Sequence, residues 1–347
     1  MKRTILIAAL ALPVWMPAQE RPADPQAKPA QDQTKKTPPA SSTTDKAKQA
    51  SSDDEALMPN LSRSPTGYVE DAAVGTMVRI RFDAGFDMTA PDRAEFFYGK
   101  CGCYRAAGLD PNAPGPGAVI VTRMRFQEAH ANVEYAFARR FSLFVDASVR
   151  SIQPLAGTGP LFGSQTGPGD LQAGFKFAPL ASPDGYLTFQ LRSYFPTGDS
   201  MEGLGTNHYS IEPGLLFTRK VTPVVALSGQ FSVWHPVGGS SALPLSSANS
   251  FAGNVLTYGA GVSRRFRVSE NLRLAPVVEL VGWSVRSGYV TLASGPVSAS
   301  GENIVNAKLG ARIYLGRQNS IYAGFGRQLS HVGWYRDFLR VEYAHVF

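Results

Sequence analysis

Between residue 76 and residue 347, apolar and polar side chains alternate with a period of two in many short segments. In MVRIRFDAGF (77–86), Ile80 and Phe82 alternate with Arg79 and Arg81. The same alternation recurs in segments 141–150, 186–195 and 306–315. Because successive side chains of a strand point to opposite faces, each segment predicts a strand with one apolar and one polar face.

The alternating segments predict twelve strands in all. We place them at 76–86, 119–137, 141–152, 169–178, 186–196, 209–218, 224–234, 254–265, 272–286, 303–315, 320–328 and 338–347. The second strand changes parity between Phe126 and Ala129, which predicts a β-bulge at that point.

The connections between the predicted strands alternate between short and long. Tight links such as Arg139-Arg140 and 316–320 follow the even-numbered strands, and longer loops such as 87–118 and 235–253 follow the odd-numbered ones. Short periplasmic turns opposite long extracellular loops are typical of an even-stranded outer-membrane barrel. This arrangement predicts that both termini lie in the periplasm.

An outer-membrane barrel also accounts for the polar faces of the strands. In hydrocarbon every backbone amide needs an internal partner, so only a closed sheet is stable there. One face of nearly every strand is apolar, whereas the other mixes charged, amide, hydroxyl and glycine positions that a dry sandwich core would not accept. A soluble β-sandwich is the alternative fold. The last segment, FLRVEYAHVF, carries Tyr343 and ends on Phe347, as in the assembly signal read by the barrel-assembly machinery.

The first 75 residues differ in composition from the rest. Lys2 and Arg3, the apolar run to Trp15 and the small residue Ala18 predict a signal peptide over 1–18. Residues 19–75 are rich in Pro, Ala, Lys and Ser, and predict a disordered tether. The tether is interpreted as a spacer, or as a segment that contacts peptidoglycan, a periplasmic partner or the barrel lumen. We therefore predict an all-β chain whose 12-stranded antiparallel up-and-down transmembrane barrel occupies residues 76–347.

Strand parity predicts which charged side chains line the lumen. The candidates are Arg79, Arg81, Asp83, Arg123, Arg125, Glu134, Asp146, Arg150, Lys176, Arg192, Glu212, Glu279, Lys308, Arg312, Arg340 and Glu342. Ten of these are basic and six acidic, an excess of four positive charges. Two interpretations remain open: ion-pair ladders that hold the barrel closed, or a path that favours anions.

Twelve strands lie between the filled small barrels and the open large ones, so we expect a narrow or partly plugged pore. A small-conductance, weakly anion-preferring channel for small solutes is the first function hypothesis. A structural or adhesive barrel that anchors the N-terminal segment is the second. An outer-membrane hydrolase is the third hypothesis and ranks last. Only His130 is predicted on an inward strand face, and the GxSxG motif of many hydrolases is absent. No cofactor, metal site or nucleic-acid partner is predicted.

Cys101 and Cys103 form a Cys-Gly-Cys sequence in the first long loop. In an oxidising compartment a local disulfide is one interpretation, and two free thiols is another. A zinc site would need further ligands, because two thiolates do not fill a tetrahedral shell.

Two sequence stretches carry a family resemblance. They are GDLQAGFKF (169–177) and YFPTGDSMEGLGTNHYSIEPGLLFT (194–218), with the carrying residues Gly169-Asp170-Leu171, Gly174-Phe175-Lys176, Phe195 to Asp199, and the Gly203–Gly205 pair. They resemble the outer-membrane transporters associated with meta-pathway phenol degradation. The resemblance implies a β-barrel and the uptake of small hydrophobic or aromatic compounds, and it carries over no site residues.

Overall fold

The computed structural model describes residues 63–89, 121–157, 161, 163–199, 202–206, 208–237, 252–292, 295–331 and 333–347. No helix in these ranges is long and apolar enough to cross a membrane. Within them the chain forms sixteen strands: β1 Met77–Met88, β2 Val121–Ala138, β3 Phe141–Gly157, β4 Gln165–Pro168, β5 Leu171–Ser182, β6 Gly185–Phe195, β7 Tyr209–Lys220, β8 Val225–Val237, β9 Val255–Arg264, β10 Phe266–Arg267, β11 Leu272–Val285, β12 Tyr289–Leu292, β13 Gly295–Ser298, β14 Asn303–Leu315, β15 Asn319–Gln328 and β16 Asp337–Val346.

Twelve of these strands close into an antiparallel barrel, which confirms the predicted fold. The barrel strands in spatial order are β1, β2, β3, β5, β6, β7, β8, β9, β11, β14, β15 and β16. The first and last strands pair with each other, with Met77 opposite Val346 and Phe86 opposite Asp337. Strand β4 adds to β3, β10 adds to β11, and β12 pairs with β13 as a separate hairpin. Closure leaves no open sheet edge to bury in lipid.

The two faces of the barrel wall follow the period of two in the sequence. On β1, the outward side chains of Ile80 and Phe82 are 49 % and 41 % exposed, whereas the inward Asp83 is 4 % exposed. On β3, Leu143 and Val145 are exposed and Asp146 is buried. An apolar outer surface with a polar interior is the arrangement that a lipid-embedded barrel requires.

Strand β2 differs from the prediction. Its side chains keep one alternation from Met124 through Glu134, so there is no bulge between Phe126 and Ala129. The register irregularities of the β2–β3 pair lie instead near the strand ends, at Val121 to Met124 and between Ala136 and Ala138. The predicted change of parity was therefore wrong, and Met124 and Phe126 are the side chains that point inward.

The connections divide the barrel into two different ends. Two-residue turns join β2 to β3 and β5 to β6, and residues 316–318 join β14 to β15. The last of these turns contains Gly316, whose φ of 62° is in the left-handed region that glycine favours. We call this the short-turn end and the opposite one the long-loop end.

Residues 63–75, which precede β1, lie inside the barrel. Val69, Ala72 and Ala73 are buried, and hydrogen bonds join this segment to strands on many sides of the wall. We call residues 63–75 the plug. They belong to the segment that the sequence predicts to be a disordered tether, whereas residues 1–62 lie outside the described residues.

A second obstruction lies towards the long-loop end. The side chains of Trp283, Trp334, Tyr335 and Phe338, which we call the aromatic cap, are all buried. Ring centroids are 4.8 Å apart for Trp283 and Trp334 and 4.7 Å apart for Tyr335 and Phe338. Trp334 and Tyr335 come from the loop between β15 and β16, so this loop folds back over the barrel interior.

Candidate functional site

The interior wall is covered by ion pairs, some between neighbouring strands and others across one intervening strand. Arg340 on β16 donates two hydrogen bonds to Asp83 on β1, each 2.7 Å long, because the strand register sets these residues directly opposite each other. The other close pairs are Arg150 with Glu128 at 2.6 Å, Arg312 with Glu342 at 2.8 Å, and Lys176 with Glu134 at 3.0 Å. Charge-assisted bonds of this kind are the strong ones, and they satisfy groups that would be costly to bury alone.

One carboxylate of the wall holds the backbone of the plug. Glu279 on β11 accepts hydrogen bonds from the amides of Gly67, Tyr68 and Val69, at 3.2, 2.9 and 2.7 Å. The hydroxyl of Tyr322 donates to the same carboxylate at 3.2 Å. Because Glu279 is only 1 % exposed, these donors replace the water that would otherwise solvate its charge.

Basic side chains of the wall hold the carbonyl groups of the plug. Arg312 donates to the carbonyl oxygens of Pro65 and Thr66, and Arg340 donates to that of Gly67. Further along the plug, Lys176 and Thr188 donate to the carbonyl oxygens of Asp71 and Ala72. The plug is thus bound through its backbone polar groups, which would need such partners in any buried position.

The side chain of Glu70 adds an ion pair between plug and wall. Its carboxylate accepts a hydrogen bond from Arg192 at 2.8 Å, and its backbone amide donates to Gln230 at 2.7 Å. Burial raises the pKa of Glu70, but Arg192, Arg79 and Lys176 lower it more, so the pKa lies below its ordinary value. Glu70 is therefore held as a carboxylate inside the barrel.

Gly67 allows the plug to pass close to the wall. A Cβ atom at this position would lie 2.1 Å from Cε1 of Tyr322, whose side chain is fully buried. Any side chain here would push against a ring that cannot easily move. The glycine is thus required for the seated position of the plug.

A polar cavity of about 150 Å³ remains between the plug and the wall. Its lining includes Glu70, Asp83, His130, Arg192 and Arg340, together with residues of the aromatic cap. A smaller cavity of about 40 Å³ lies nearer the short-turn end, next to Arg63, Met77 and Val346. Tyr68 and Glu70 of the plug line both cavities.

Lys308 contacts both the plug and the aromatic cap. Its ammonium nitrogen lies 3.9 Å from the ring centroid of Tyr68 and 4.7 Å from that of Phe338. It also donates a hydrogen bond of 2.9 Å to the hydroxyl of Tyr335. Aromatic faces attract a cation, so Lys308 links the plug to the cap.

The structure places fourteen of the sixteen predicted lumen residues on the inner face, buried or half-buried. Arg123 and Arg125 instead lie exposed on the outer side of β2, which corrects their assignment. Strand β2 has 18 residues, and a crossing strand needs about 11, so its far end extends past the hydrocarbon and tolerates outward arginines. Cys101 and Cys103 lie outside the described residues.

This correction changes the charge of the inner face. Without Arg123 and Arg125, eight basic and six acidic residues of the predicted set remain, and the buried Arg265 and Glu128, which the prediction left out, add one charge of each sign. The predicted excess of four positive charges is reduced to two. The interpretation as ion-pair ladders accounts for most of these residues, because they form ion pairs with one another at distances of 2.6 to 3.9 Å.

His130 does not have the geometry of a catalytic histidine beside a nucleophile. Its Nδ1 atom lies 2.7 Å from Asp146, and its Nε2 atom lies 3.1 Å from Glu128. Both ring nitrogens therefore face carboxylates, whereas a serine–histidine pair needs one nitrogen on the hydroxyl. The arrangement is that of a buried charged cluster with Arg150 and Arg81 nearby.

Sequence reasoning missed the part of the site that the plug provides. The sequence interpretation places Tyr68 and Glu70 in the tether and gives no role to Trp283. The usable signal was the composition of TGYVEDAAVG (66–75), which already contains Tyr, Val and Ala positions before the first strand. A short apolar stretch in a polar tether indicates a segment that can be buried.

Some of the residues that carry the family resemblance, around Asp170 and Thr197, meet in one loop cluster. Asp170 accepts hydrogen bonds from the amides of Gly198 and Thr206, at 3.0 and 2.8 Å, and from the Thr206 hydroxyl at 2.7 Å. Thr197 donates to the carbonyl of Gly169 at 3.1 Å. Burial raises the pKa of Asp170 above its ordinary value, although these hydrogen bonds oppose the shift. Hydrogen bonds of the motif thus join the loop after β6 to the residues that precede β5.

No family model and no curated protein matches the chain. Among solved structures, it is similar to an outer-membrane channel from Pseudomonas putida F1, with 14 % identity, a TM-score of 0.50, and coverage of 82 % of this chain and all of that one. The β domain of the Bordetella autotransporter BrkA matches at 12 % identity and a TM-score of 0.46, covering 79 % of this chain and all of that domain. The NanC porin matches at 8 % identity and a TM-score of 0.42, covering 77 % of this chain and 99 % of the porin. At these identities the likeness concerns the fold, and the association with phenol degradation stays a prediction.

Proposed function

We propose that the chain is a narrow outer-membrane channel for small solutes, and that the plug closes it. The observation that carries this proposal is the polar cavity of about 150 Å³ that lies beside the plug within a closed barrel. A barrel that served only as an anchor would have no use for a polar space in its interior.

The way in which the plug is attached supports a gate. The plug adds no strand to the sheet, and its contacts with Glu279, Arg312 and Arg340 are hydrogen bonds between wall side chains and its backbone. Its departure would leave the twelve-stranded hydrogen-bond ladder intact. Water entering the lumen would then solvate the charged groups that the plug had satisfied.

The wall chemistry supports small solutes with little charge discrimination. With nine basic and seven acidic side chains counted on the inner face, we expect only a weak preference for anions. Aromatic side chains at one side of the cavity, including Trp283 and Tyr335, suit compounds with an apolar or aromatic part. That narrower substrate class follows the resemblance noted in the sequence and stays part of the proposal.

The proposed setting is the outer membrane, with the bilayer and the barrel-assembly machinery as partners. Tyr343 and Phe347 occupy the last strand and its end, and both are exposed, as a terminal signal needs to be for recognition. We propose that the short-turn end and both termini face the periplasm, from where the plug enters the lumen.

Conductance of the reconstituted chain tests the channel. We compare the mature chain with a deletion of residues 63–75, and use a deletion of residues 19–62 as the control that retains the plug. We expect brief small openings for the mature chain and the control, and stepwise, long-lived conductance when the plug is deleted. Folding of the plug deletion is judged by gel electrophoresis in detergent, in which a closed barrel migrates faster before boiling than after. If the deletion variant folds yet conducts no ions, the channel proposal is wrong.

A structural barrel that anchors its N-terminal segment is the second candidate. The number of hydrogen bonds that hold the plug favours it. It predicts no conductance in any of the three proteins, and a fall in the unfolding midpoint of the barrel when residues 63–75 are deleted. The two candidates thus give opposite results in the same experiment.

A further inference from the structure

The outer rim of the short-turn end is strongly basic. Six arginines on its turns and strand ends are exposed, and Lys220 beside them is half-buried; the arginines are Arg139, Arg140, Arg219, Arg264, Arg267 and Arg317. Among the described residues of this rim, the exposed acidic side chains are Asp184 and Glu270. Seven basic groups against two acidic ones give this rim a pronounced positive charge.

The rim of the long-loop end is balanced over the residues that the structure describes. Its five exposed arginines, at positions 123, 125, 286, 327 and 336, are matched by the acidic residues Asp87, Asp199, Glu202, Glu302 and Asp337. Several of them pair directly: Arg336 lies 2.8 Å from both Asp87 and Asp337, and Arg327 lies 3.6 Å from Asp337. The positive charge of the short-turn rim is thus a property of one end.

A band of aromatic side chains lies on the outer surface directly next to the basic rim. Ring centroids are 4.9 Å apart for Tyr135 and Phe137, 5.7 Å for Phe141 and Phe175, and 5.9 Å for Phe175 and Phe189. Phe137 is 62 % exposed and lies two residues before Arg139. Aromatic residues on the outer surface of a barrel mark the depth of the membrane interface.

The sequence order sets the depth of the arginines. Arg139 and Arg219 each follow an exposed phenylalanine of the wall by two residues, and the guanidinium of Arg264 lies 5.0 Å from the ring centroid of Phe266. Two residues along a strand rise by about 7 Å. The guanidinium groups therefore lie just beyond the aromatic band, at the depth of lipid phosphates. Arginine donates paired hydrogen bonds to phosphate oxygens.

We propose that the short-turn rim is a binding surface for the head groups of anionic phospholipids in the leaflet at that end. A zwitterionic head group would neutralise none of the positive charge, whereas a phosphatidylglycerol head group carries a net negative charge that the clustered arginines attract. The inference does not depend on transport, because it concerns the outer surface and not the lumen.

Lipid selectivity of the full mature chain in nanodiscs tests this surface. Spin-labelled phosphatidylglycerol and phosphatidylcholine are added in turn, and the fraction immobilised by the protein is measured for each. We expect phosphatidylglycerol to be favoured about threefold at low salt, with the ratio falling towards one in 1 M NaCl as the charges are screened. A ratio of one at low salt overturns the proposal.

Charge-neutralised variants locate the effect. Replacing all six rim arginines by glutamine is expected to abolish the preference, whereas Arg123→Gln/Arg125→Gln/Arg286→Gln at the long-loop rim should retain it. Loss of preference in the second variant only would contradict the assignment to the short-turn rim. If spin-labelled lipid A displaces phosphatidylglycerol from that rim at equal concentration, the partner is an outer-leaflet lipid and the proposal is wrong.

Folding of each variant is checked by gel electrophoresis, in which the folded barrel migrates faster before boiling than after. The salt titration uses the unmodified chain, so it tests the proposal even where a variant fails to fold. Conductance of the plug deletion and lipid selectivity of the rim are separate measurements, and either can fail alone.

Discussion

The plug and the aromatic cap both obstruct the lumen, but they are held by different forces. The plug is bound by hydrogen bonds and ion pairs, with Glu279 and Arg340 among its partners. The cap is bound by packing of Trp283, Trp334 and Phe338. Polar contacts can be exchanged for contacts with water at modest net cost, whereas exposing large aromatic surfaces to water is unfavourable.

This difference suggests a division of roles. The plug is the part that can leave, since the wall that it uncovers is already polar. The cap is part of the stable interior, and its loop connects β15 to β16 next to the barrel closure. Each of the following predictions tests whether a given side chain belongs to the removable part or to the permanent one.

The largest effect is expected in the cap. Trp283→Ala leaves a cavity where the ring packed against Trp334, and we expect a loss of about 3–5 kcal/mol in the free energy of unfolding of the barrel. Urea unfolding of the protein in lipid vesicles measures this loss. Trp283→Phe, the control, retains much of the apolar contact and should cost less than half as much. An unchanged midpoint for Trp283→Ala would show that the cap does not support the barrel.

A smaller effect, confined to the plug, is expected at Glu279. Glu279→Gln removes the negative charge that three plug amides share, and should weaken seating by about 1.5–3 kcal/mol, the range for hydrogen bonds to charged groups. Open probability in planar bilayers measures the change. The control is Glu128→Gln, because that carboxylate contacts Arg150 and His130 of the wall. Equal opening in both variants would argue against a specific role of Glu279.

The pH dependence of plug seating should reveal Glu70. Its lowered pKa means that the ion pair with Arg192 stabilises the seated plug above the ordinary glutamate pKa of about 4.3, and that this contribution is lost as pH falls towards the lowered value. Open probability should therefore be flat from pH 8 to about 5 and rise below that. Glu70→Gln should cost about 1 kcal/mol at pH 7, because the pair is partly exposed. A rise in open probability with increasing pH would contradict this sign.

The smallest effect is expected on the outer surface of β2. Arg125 is exposed and its hydrogen bond of 2.6 Å is to Gln153, so Arg125→Gln should change the free energy of unfolding by less than about 0.5 kcal/mol. The ratio of anion to cation permeability should also stay unchanged. A clear fall in anion preference would restore Arg125 to the lumen and contradict its observed orientation.

The strands could be predicted because their signal is local. A lipid-facing wall needs an apolar side chain at every second position, and this requirement is visible in β1 and β14 without any knowledge of their neighbours. The predicted strand 303–315 coincides with β14, and the predicted strand 141–152 ends five residues before β3 does. At the far ends of β2 and β3, the strands leave the hydrocarbon and the requirement ends, so Arg123 and Arg125 were misassigned.

The plug could not be predicted in the same way, because nothing local demands its position. Residues 66–75 have neither a period of two nor a helical period, and their place depends on Glu279, Arg312 and Lys176, each more than 100 residues away. The convergence of these side chains is created by barrel closure. Strand parity identified the polar residues of the inner face, but it did not show which of them pair with each other.

The sequence by itself determined the barrel, its strand number and, except near the beginning of β2, the side of each strand that meets lipid, because alternation along the chain is imposed by the solvent on the two faces. Only the tertiary structure decided that the lumen is filled, which carboxylate holds which amide, and that the positive charge of the interior is largely compensated. Those properties arise from contacts between residues distant in sequence. A hydrogen bond across the lumen produces no periodic pattern in the amino-acid sequence, so it cannot be predicted from that pattern.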